Sequence, residues 1–477
     1  MSDQQGITVP KGKDFSEWYN EVTLKAGLAD FSSVKGFMFI KPYGYGIWEL
    51  IQAALDSLLK AQGHQNAYSP ALIPERFLQR EQEHVEGFSP ELFVVTQAGT
   101  QPLEERLILR PTSETVVYDA YAKWIRSWRD LPLLYNYWNS VFRAEIKMTK
   151  LFLRTCEFLW QEGHTVHATE GEADREVRSI LESYRTLMED YLAIPVLTGR
   201  KSDKEKFAGA VYTTTLEALM PDGKALQMGT SHQLGQNFAK AFGITFLDQA
   251  QKRQHAWQTS WGVSTRTIGA VIMVHGDDRG LVLPPRIAPI QVVVVPIFQD
   301  ASKDSVLKEA KHLQGKLEKL GIRVQLDDRE GYSPGWKFNE WELKGVPVRL
   351  EIGPKDLEQQ QAILVRRDSM QKQPVKWDAL GTVVPALLED IQAALFRKAT
   401  SFLEANTRPA ATLKELGRLA EKEKGFILAG WCGNKACEEQ VKDQTGTDIR
   451  VIPFQPPAGA CVVCGNSGQQ ACFARAY

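Results

Sequence analysis

The chain has 477 residues, 43% hydrophobic and 24% charged, a composition that excludes a disordered or fibrous polypeptide and suffices for two to four domains with cores of their own. Lys and Arg total 57 against 58 Asp and Glu, so the net charge of −1 advertises no nucleic-acid surface, and an RNA partner has to rest on a local patch. The polar opening MSDQQGITVPKGKDF lacks the apolar stretch of a secretory signal, and VVVVPIF near 295 is strand-sized rather than membrane-spanning, so a cytoplasmic protein without membrane attachment is expected.

Asp14, followed by Glu17, Trp18, Tyr19 and Val22 with Gly27 as a stop, predicts a first helix. From Tyr45, the residues Ile47, Leu50, Ile51, Ala54, Leu55, Leu58 and Leu59 fall at helical spacing as far as Gly63. HQNAYSPALIP then reads as an extended segment. Pro70 and Pro74 cannot donate to a ladder, which assigns it to a sheet edge or end. Ser113 to Arg126 reads as a helix. LLYNYWNSVFRAEI reads as a strand, and residues 152–167 as its antiparallel partner across the polar loop KMTK. Residues 170–191 read as helical, and GAVIMVHG at 269–276 as another strand, followed by DDRGLVLPP.

The proline-rich LPPRIAPI at 283–290 reads as a linker. Beyond it IQVVVVPIF, IRVQLDD, VPVRLEIG and QAILVRR read as strands, with helical stretches at 303–320 and 332–344, together a compact α/β unit. Residues 383–425 read as mainly helical. Of six cysteines, Cys156 stands alone and Cys432, Cys437, Cys461, Cys464 and Cys472 crowd the tail. The pairs Cys432-x4-Cys437 and Cys461-x2-Cys464 have the spacing of a closed tetrahedral Zn²⁺ site, which is structural rather than catalytic; the alternative is four reduced, unligated thiols.

Chemistry concentrates in RPTSET at 110–115, FRAE at 142–145, QMGTSH at 227–232 and HGDDRG at 275–280. Strand alternation gives Arg154, Cys156, Phe158, Trp160 and Glu162 one shared face, an odd lining for a core. Arg143 and Glu145 share a face in the same way. A fixed Arg grips a carboxylate or phosphate through two parallel bonds, Phe158 can stack on a base, and Arg279 supplies a second cation on a turn. Taken singly, each also reads as a surface ion pair, a core aromatic or a solvated turn residue.

Their order and spacing resemble the three signature motifs of class II aminoacyl-tRNA synthetases, with Pro70 in motif 1, Arg143 in motif 2 and Arg279 in motif 3. The blocks RPTSET, FLRTCEFLWQEGH, KFAGAVYTTT, QMGTSH, TSWG and HGDDRGLVLPP look like the prolyl-tRNA synthetases of archaeal and eukaryotic type, over essentially the whole chain. The resemblance implies an α/β multidomain protein: an antiparallel-sheet catalytic domain at 1–285, an α/β anticodon-binding domain at 286–395 and a small zinc-binding α/β domain at 396–477. It implies attachment of L-proline to tRNA(Pro) through prolyl-adenylate, with ATP, Mg²⁺ and a structural Zn²⁺, by a homodimer.

By the same resemblance Arg143, Glu145 and Arg279 serve catalysis, and Thr112, Glu114, Arg143, Trp160, Phe207, His232 and Ser264 hold proline. Arg143, Glu145, Thr155, Phe158, Gln227, Thr230 and Arg279 hold ATP. Glu342, Arg349, Lys355 and Asp356 are the candidates for anticodon contact, and Cys432, Cys437, Cys461 and Cys464 for the metal. Tyr477 is expected to dock on the catalytic domain near the site. Ala144 stands where many relatives carry Trp, and 165–268 has no room for the large editing insertion of bacterial enzymes. The competing readings are a synthetase for another class IIa amino acid and a catalytically silent RNA-binding relative.

Overall fold

The computed structural model describes residues 6–78, 92–145 and 149–477. The first five residues of the polar opening, the last residue of the expected FRAEI strand and residues 147–148 of the KMTK loop lie outside that description. The first helix, α1 (Phe15–Lys25), is capped by Asp14, whose carboxylate accepts from the backbone N–H of Ser16 and Glu17. A hairpin, β1 (Ala29–Phe31) and β2 (Met38–Ile40), leads into α2 (Pro42–Ala61). That helix starts three residues before the apolar stripe, because Pro42 in its first turn has no N–H to lose there.

HQNAYSPALIP divides at its prolines into β3 (Gln65–Ala67) and β4 (Leu72–Pro74), each at the edge of a different sheet. The smaller sheet runs β4-β6-β5, with β5 at Val94–Ala98 and β6 at Gln101–Leu109. After α3 (Glu114–Trp124) come β7 (Leu133–Phe142), β8 (Glu157–His167) and α4 (Glu170–Thr186). Then follow β9 (Leu197–Arg200), β10 (Tyr212–Leu219), β11 (Ala225–Gly235), a hairpin of β12 (Thr245–Leu247) and β13 (Arg253–His255), and β14 (Trp257–Ser264). The main sheet is ordered β3-β7-β8-β14-β11-β10-β9 and is antiparallel except for the β3–β7 pair. One face packs against α2 and α4, through Ile51, Leu55, Ile180, Tyr184 and Trp261. The opposite face is left for chemistry.

Several sequence readings change in the first unit, where β7 already ends at Phe142, so that Arg143 and Glu145 lie beyond the strand expected to carry them. GAVIMVHG is the body of a helix, α5 (Arg266–His275), not a strand: residues 267–273 are buried all round, and a continuous apolar run carries no period that separates a buried helix from a buried strand. Residues 152–156 are not part of β8; Phe152 has φ of 63° and the chain turns there. LPPRIAPI is not a solvated linker, since Leu283, Ile287 and Ala288 belong to the core of the first unit.

The second unit is the expected α/β structure. Its sheet is ordered β16-β15-β17-β18-β19, from β15 (Val292–Pro296), β16 (Val324–Leu326), β17 (Val348–Ile352), β18 (Gln361–Arg366) and β19 (Lys372–Lys376). Its longer helices are α6 (Lys303–Glu318) and α7 (Pro334–Leu343). A long helix, α8 (Leu380–Ala405), leads to the third unit, where β20 (Thr407–Ala410) interrupts the helical stretch expected as far as 425. That unit holds β21 (Phe426–Trp431), α9 (Lys435–Thr445), β22 (Asp448–Val451), β23 (Ala458–Ala460) and β24 (Ser467–Ala474). Among the described residues no helix is long and apolar enough to cross a membrane.

Gly163 of β8 lies opposite Trp261 of β14, and a Cβ built on it would meet the indole at 2.1 Å. Only a bare backbone admits that ring. Gly163→Ala is expected to destabilise the first unit by about 1–3 kcal/mol through overpacking, read as a lower midpoint for its thermal transition. Gly171→Ala, whose nearest neighbour would be at 3.7 Å, is the matched control and should not lower it.

Candidate active site

Strand register builds the site. Trp160 pairs with Asn139 of β7 and Ser264 of β14; Glu162 pairs with Gly262, and His164 with Ser260. Thr230 and His232 of β11 lie opposite Gly262 and Ser260, and Thr213 of β10 lies opposite His232. Directly opposed residues point to the same side, so this row shares the face that α2 and α4 leave open. Apart from Asn139 and His164, it floors a cavity of about 240 Å³ that Thr112, Glu114, Arg143, Phe207, Gln227 and Arg266 help to enclose. Phe158, Trp160 and Glu162 all line it, as alternation predicted.

At one end the lining is anionic and aromatic. Thr112 and Glu114 stand at the start of α3, and the Thr112 hydroxyl donates to the Glu114 carboxylate. Glu162 is almost wholly buried and takes hydrogen bonds from the Ser113 hydroxyl and backbone N–H, from Asn139 at 2.8 Å and from His164 at 3.0 Å. Burial works against its ionisation, but the bonds from His164, Asn139 and Ser113 win and hold its carboxyl below the usual range. Burial likewise opposes charge on His164, and Glu162 overrides it, so the imidazole titrates above its ordinary value. Trp160 is fixed by donating from Nε1 to Asn139 Oδ1 at 2.6 Å. Phe207 stacks on His232 at 4.5 Å between centroids. The two nitrogens of His232 lie 2.9 and 3.0 Å from the hydroxyls of Thr213 and Thr230. Burial, with His164 and Lys201 as lesser causes, depresses this ring to about 3, so it is neutral at physiological pH.

At the other end two guanidinium groups converge. Arg143 donates from Nε to the Pro111 carbonyl and lies 5.4 Å from the centre of the Phe158 ring. Arg266, the first residue of α5, donates to the carbonyls of Leu153 and Gln227. Burial first, then the charges of Arg143 and Arg154, lower its pKa to about 10, which leaves it charged. Two cations in each other's field on one wall favour an anion between them.

Three expected residues lie outside this lining. Arg279 binds Glu342 of the second unit at 3.1 Å, and its loop is clasped further by Arg367 on Asp277. The strand expected to carry it is a helix, and the turn after that helix faces the second unit. Glu145 makes a tight turn with Arg143 and pairs with Arg154 at 3.1 Å. Thr155 donates to the Glu157 carbonyl. Arg266, Lys201 and Glu205 line the cavity and were not singled out in the sequence; for Arg266 the available signal was its place in TSWGVSTR, at a strand end ahead of an apolar run. Cys156 is buried, and burial followed by Glu145 pushes its thiol up, which suits a packed residue.

In the second unit Glu342 and Arg349 are buried and bound to each other at 2.8 Å, and Arg349 also holds Glu351 at 2.9 Å. Both therefore already engage each other in ion pairs, whereas the sequence reading has them offering hydrogen bonds to the bases of an anticodon. Asp356 accepts from the N–H of Gly353, whereas Lys355 is exposed. In the third unit the sulfurs of Cys432, Cys437, Cys461 and Cys464 lie within 4.8 Å of one another, with Cys432 and Cys464 at 3.7 Å. Cys472 is buried elsewhere, beside Phe426 and Val451. Tyr477 docks on the first unit at the β10–β11 turn: its N–H donates to Ala225 and its hydroxyl to Asp222 at 2.7 Å, and it does not line the cavity.

Three family models match the chain. Residues 93–275 match the one described as tRNA synthetase class II core domain (G, H, P, S and T), residues 291–387 the one described as Anticodon binding domain, and residues 413–477 the one described as Prolyl-tRNA synthetase, C-terminal. Relatives named Proline--tRNA ligase match along nearly the whole length. That of Natranaerobius thermophilus is 55% identical over 472 residues, 98% of this chain and 97% of the relative. That of Cenarchaeum symbiosum is 53% identical over 474 residues, 99% of both chains. That of Rubrobacter xylanophilus is 54% identical over 467 residues, 98% of both.

The Glu162–His164 pair carries a signature in pH. Glu162, titrating below its ordinary 4.5, contributes stability that is present above that value and lost as pH falls through the lowered one. His164, titrating above its ordinary 6.5, contributes stability that is present below that value and lost as pH rises through the raised one. The pair is therefore fully effective between 4.5 and 6.5. The loss in thermal midpoint caused by His164→Gln should be greatest between pH 4.5 and 6.5 and shrink at pH above the raised His164 value. A loss of the same size in both ranges would remove the charged pair from the account.

Proposed function

The chain belongs to the class II prolyl-tRNA synthetases, and from that premise we propose that the cavity on its main sheet is where proline meets ATP. It attaches proline to tRNA, and proline, ATP and tRNA are its substrates. The observation that carries the reading is the division of one sheet face into a cationic end with an aromatic plate and an anionic end with a small aromatic pocket.

In this reading the proline ring sits among Trp160, Phe207, His232 and Ser264, with its imino cation on Glu114 and Thr112. A neutral His232 does not repel that cation. The proline carboxylate and the α-phosphate share Arg143, the adenine stacks on Phe158, and Gln227 and Thr230 hold the nucleotide from β11. Arg266 takes the phosphate part first assigned to Arg279, while Glu145 and Thr155, next to Arg143 and to the start of β8, complete the nucleotide side. The carboxylate attacks the α-phosphorus, giving prolyl-adenylate and pyrophosphate, and the terminal ribose hydroxyl of tRNA then takes the prolyl group. No protein nucleophile is needed; the residues position two anions and stabilise the charge of the transition state. Mg²⁺ would arrive with the ATP phosphates, whose charge it neutralises, rather than in a protein cage.

The four thiols fit Zn²⁺. Tetrahedral bonds of about 2.3 Å put sulfurs about 3.8 Å apart, and Cys432 and Cys464 are at 3.7 Å. Four thiolates leave no open position, so the ion would hold the unit together. Phe31, Val34, Phe39, Tyr68, Leu72 and Val94 are exposed around β1, β2, β4 and β5, and we assign that apolar surface to the homodimer contact. On the second unit, Lys355 and a cavity of about 230 Å³ lined by Phe298, Lys303, Arg329 and Tyr332, beyond the carboxyl ends of β15 and β16, are the proposed meeting places with the anticodon. A chain that charges tRNA works where translation runs, in the cytoplasm.

Pyrophosphate exchange across a panel of amino acids tests the function. Exchange should depend on proline, and equal exchange with another class IIa amino acid would overturn the reading. Within that assay Arg143→Ala and Arg266→Ala should each lose a hundredfold or more, about 3 kcal/mol of transition-state stabilisation. Arg279→Ala should stay within a few-fold, because its partner is Glu342. The reverse ranking would return the phosphate role to Arg279.

Cys461→Ser should lower bound zinc and destabilise the third unit, since metal binding is coupled to folding. Cys472→Ser should keep a full complement. Elemental analysis on the two variants checks both statements, and full zinc in the first would reassign the ligands.

A further inference from the structure

Glu217 of β10 is completely buried, and two cations share its carboxylate. Lys201 donates to it at 2.8 Å and lines the cavity. Arg450 reaches it from β22 of the third unit through Nε at 3.1 Å and an NH2 at 3.0 Å. Both cations are themselves buried. An anion so enclosed cannot shed one partner cheaply, so its geometry is fixed jointly by two units of the fold.

Two further ties reach the same stretch of chain. Arg200, at the end of edge strand β9, exchanges both backbone hydrogen bonds with Ile452 at 2.8 Å. A Cβ on Gly199 would meet the Ile452 carbonyl at 2.2 Å, so the approach requires a bare backbone. The Ser202 hydroxyl donates to Glu438 of α9 at 2.6 Å, and both residues are buried. The Ser202 carbonyl accepts from the N–H of Glu205 and Lys206, which makes Ser202 the head of the turn that delivers Glu205 and Phe207 to the cavity.

We propose that the third unit sets the proline-side wall of the cavity, with Arg450 and Glu438 as positioning residues for Lys201–Phe207. The proposal rests on the reading of this cavity as the proline site. The nucleotide side has local anchors instead: Arg143 is held by Pro111 and Cys156, and Arg266 by Leu153 and Gln227, all within the first unit. Loss of the third unit's grip therefore acts on one substrate and not the other. Arg450 touches no cavity atom and acts through Glu217 and Lys201.

The test is steady-state pyrophosphate exchange with the full chain, varying proline and ATP separately. Arg450→Met should raise KM for proline about tenfold, leave KM for ATP within about twofold and leave zinc content unchanged. Arg450→Lys, which keeps the charge, should recover most of the loss. Ser202→Ala should move proline KM in the same direction with all charges intact, and it carries the test should Arg450→Met fail to fold. An unchanged proline KM in a folded variant, or proline and ATP values rising together, overturns the proposal. A wild type that does not exchange with proline at all would instead overturn the reading of the site, so the two failures are distinguishable.

Discussion

Glu162 is the point on which the rest of the site turns. A carboxylate with so little exposure has to be hydrogen-bonded on every side, since an unpaired buried anion costs far more than a domain can spare. Its partners come from three separate places: Ser113 ahead of α3, Asn139 on β7 and His164 further along β8. Satisfying one anion thus fixes a helix start against two strands. Thr112 and Glu114 flank Ser113, so their position follows from it. Asn139 gives its oxygen to Trp160, so the indole follows as well. The groups read here as contacting proline are held by an anion that need not contact it.

Charge does the same work between the units. Arg279, Glu342, Arg349 and Glu351 form a chain of ion pairs from the loop after α5 into β17, and Arg367 closes on Asp277 beside it. Pairs of this kind, buried at Arg349 and more open to solvent at Arg279 and Asp277, contribute little net stability compared with apolar contacts of the same size. They specify one geometry, because any other docking strands a charge. A nearly balanced chain, with 57 basic and 58 acidic residues, can spend its charges this way internally and still show no basic face in its composition.

Much of the site was legible because strands alternate. Phe158, Trp160 and Glu162 could be put on one face from spacing alone, and Thr230 and His232 follow the same period in QMGTSH. The limit came where period vanishes. GAVIMVHG is apolar throughout, so strand and buried helix were indistinguishable, and the strand choice carried the second cation to Arg279 when the helix begins at Arg266. Glu342 and Arg349 show the other limit. Charged residues in a mixed segment read as surface, and nothing local announces that partners 7 and 63 residues away will bury them. The zinc-type spacing was legible for the opposite reason, because each ligand pair is local in sequence and only their meeting requires the fold.

The end of the chain returns to the main sheet. Its last residues bridge Ala225 at the start of β11, with the Tyr477 hydroxyl on Asp222 and Lys224 over the ring at 4.8 Å. The third unit therefore bonds to the backbone of the main sheet at the turn between β10 and β11 and at the edge of β9. Both holds lie outside the cavity, yet the strands between them carry Thr213 and His232, on the side read as the proline site. An antiparallel sheet gripped at an edge and at a turn cannot change twist without breaking backbone hydrogen bonds on both sides. A small domain remote from the chemistry can in this way fix the side-chain spacing of the floor on which the chemistry occurs.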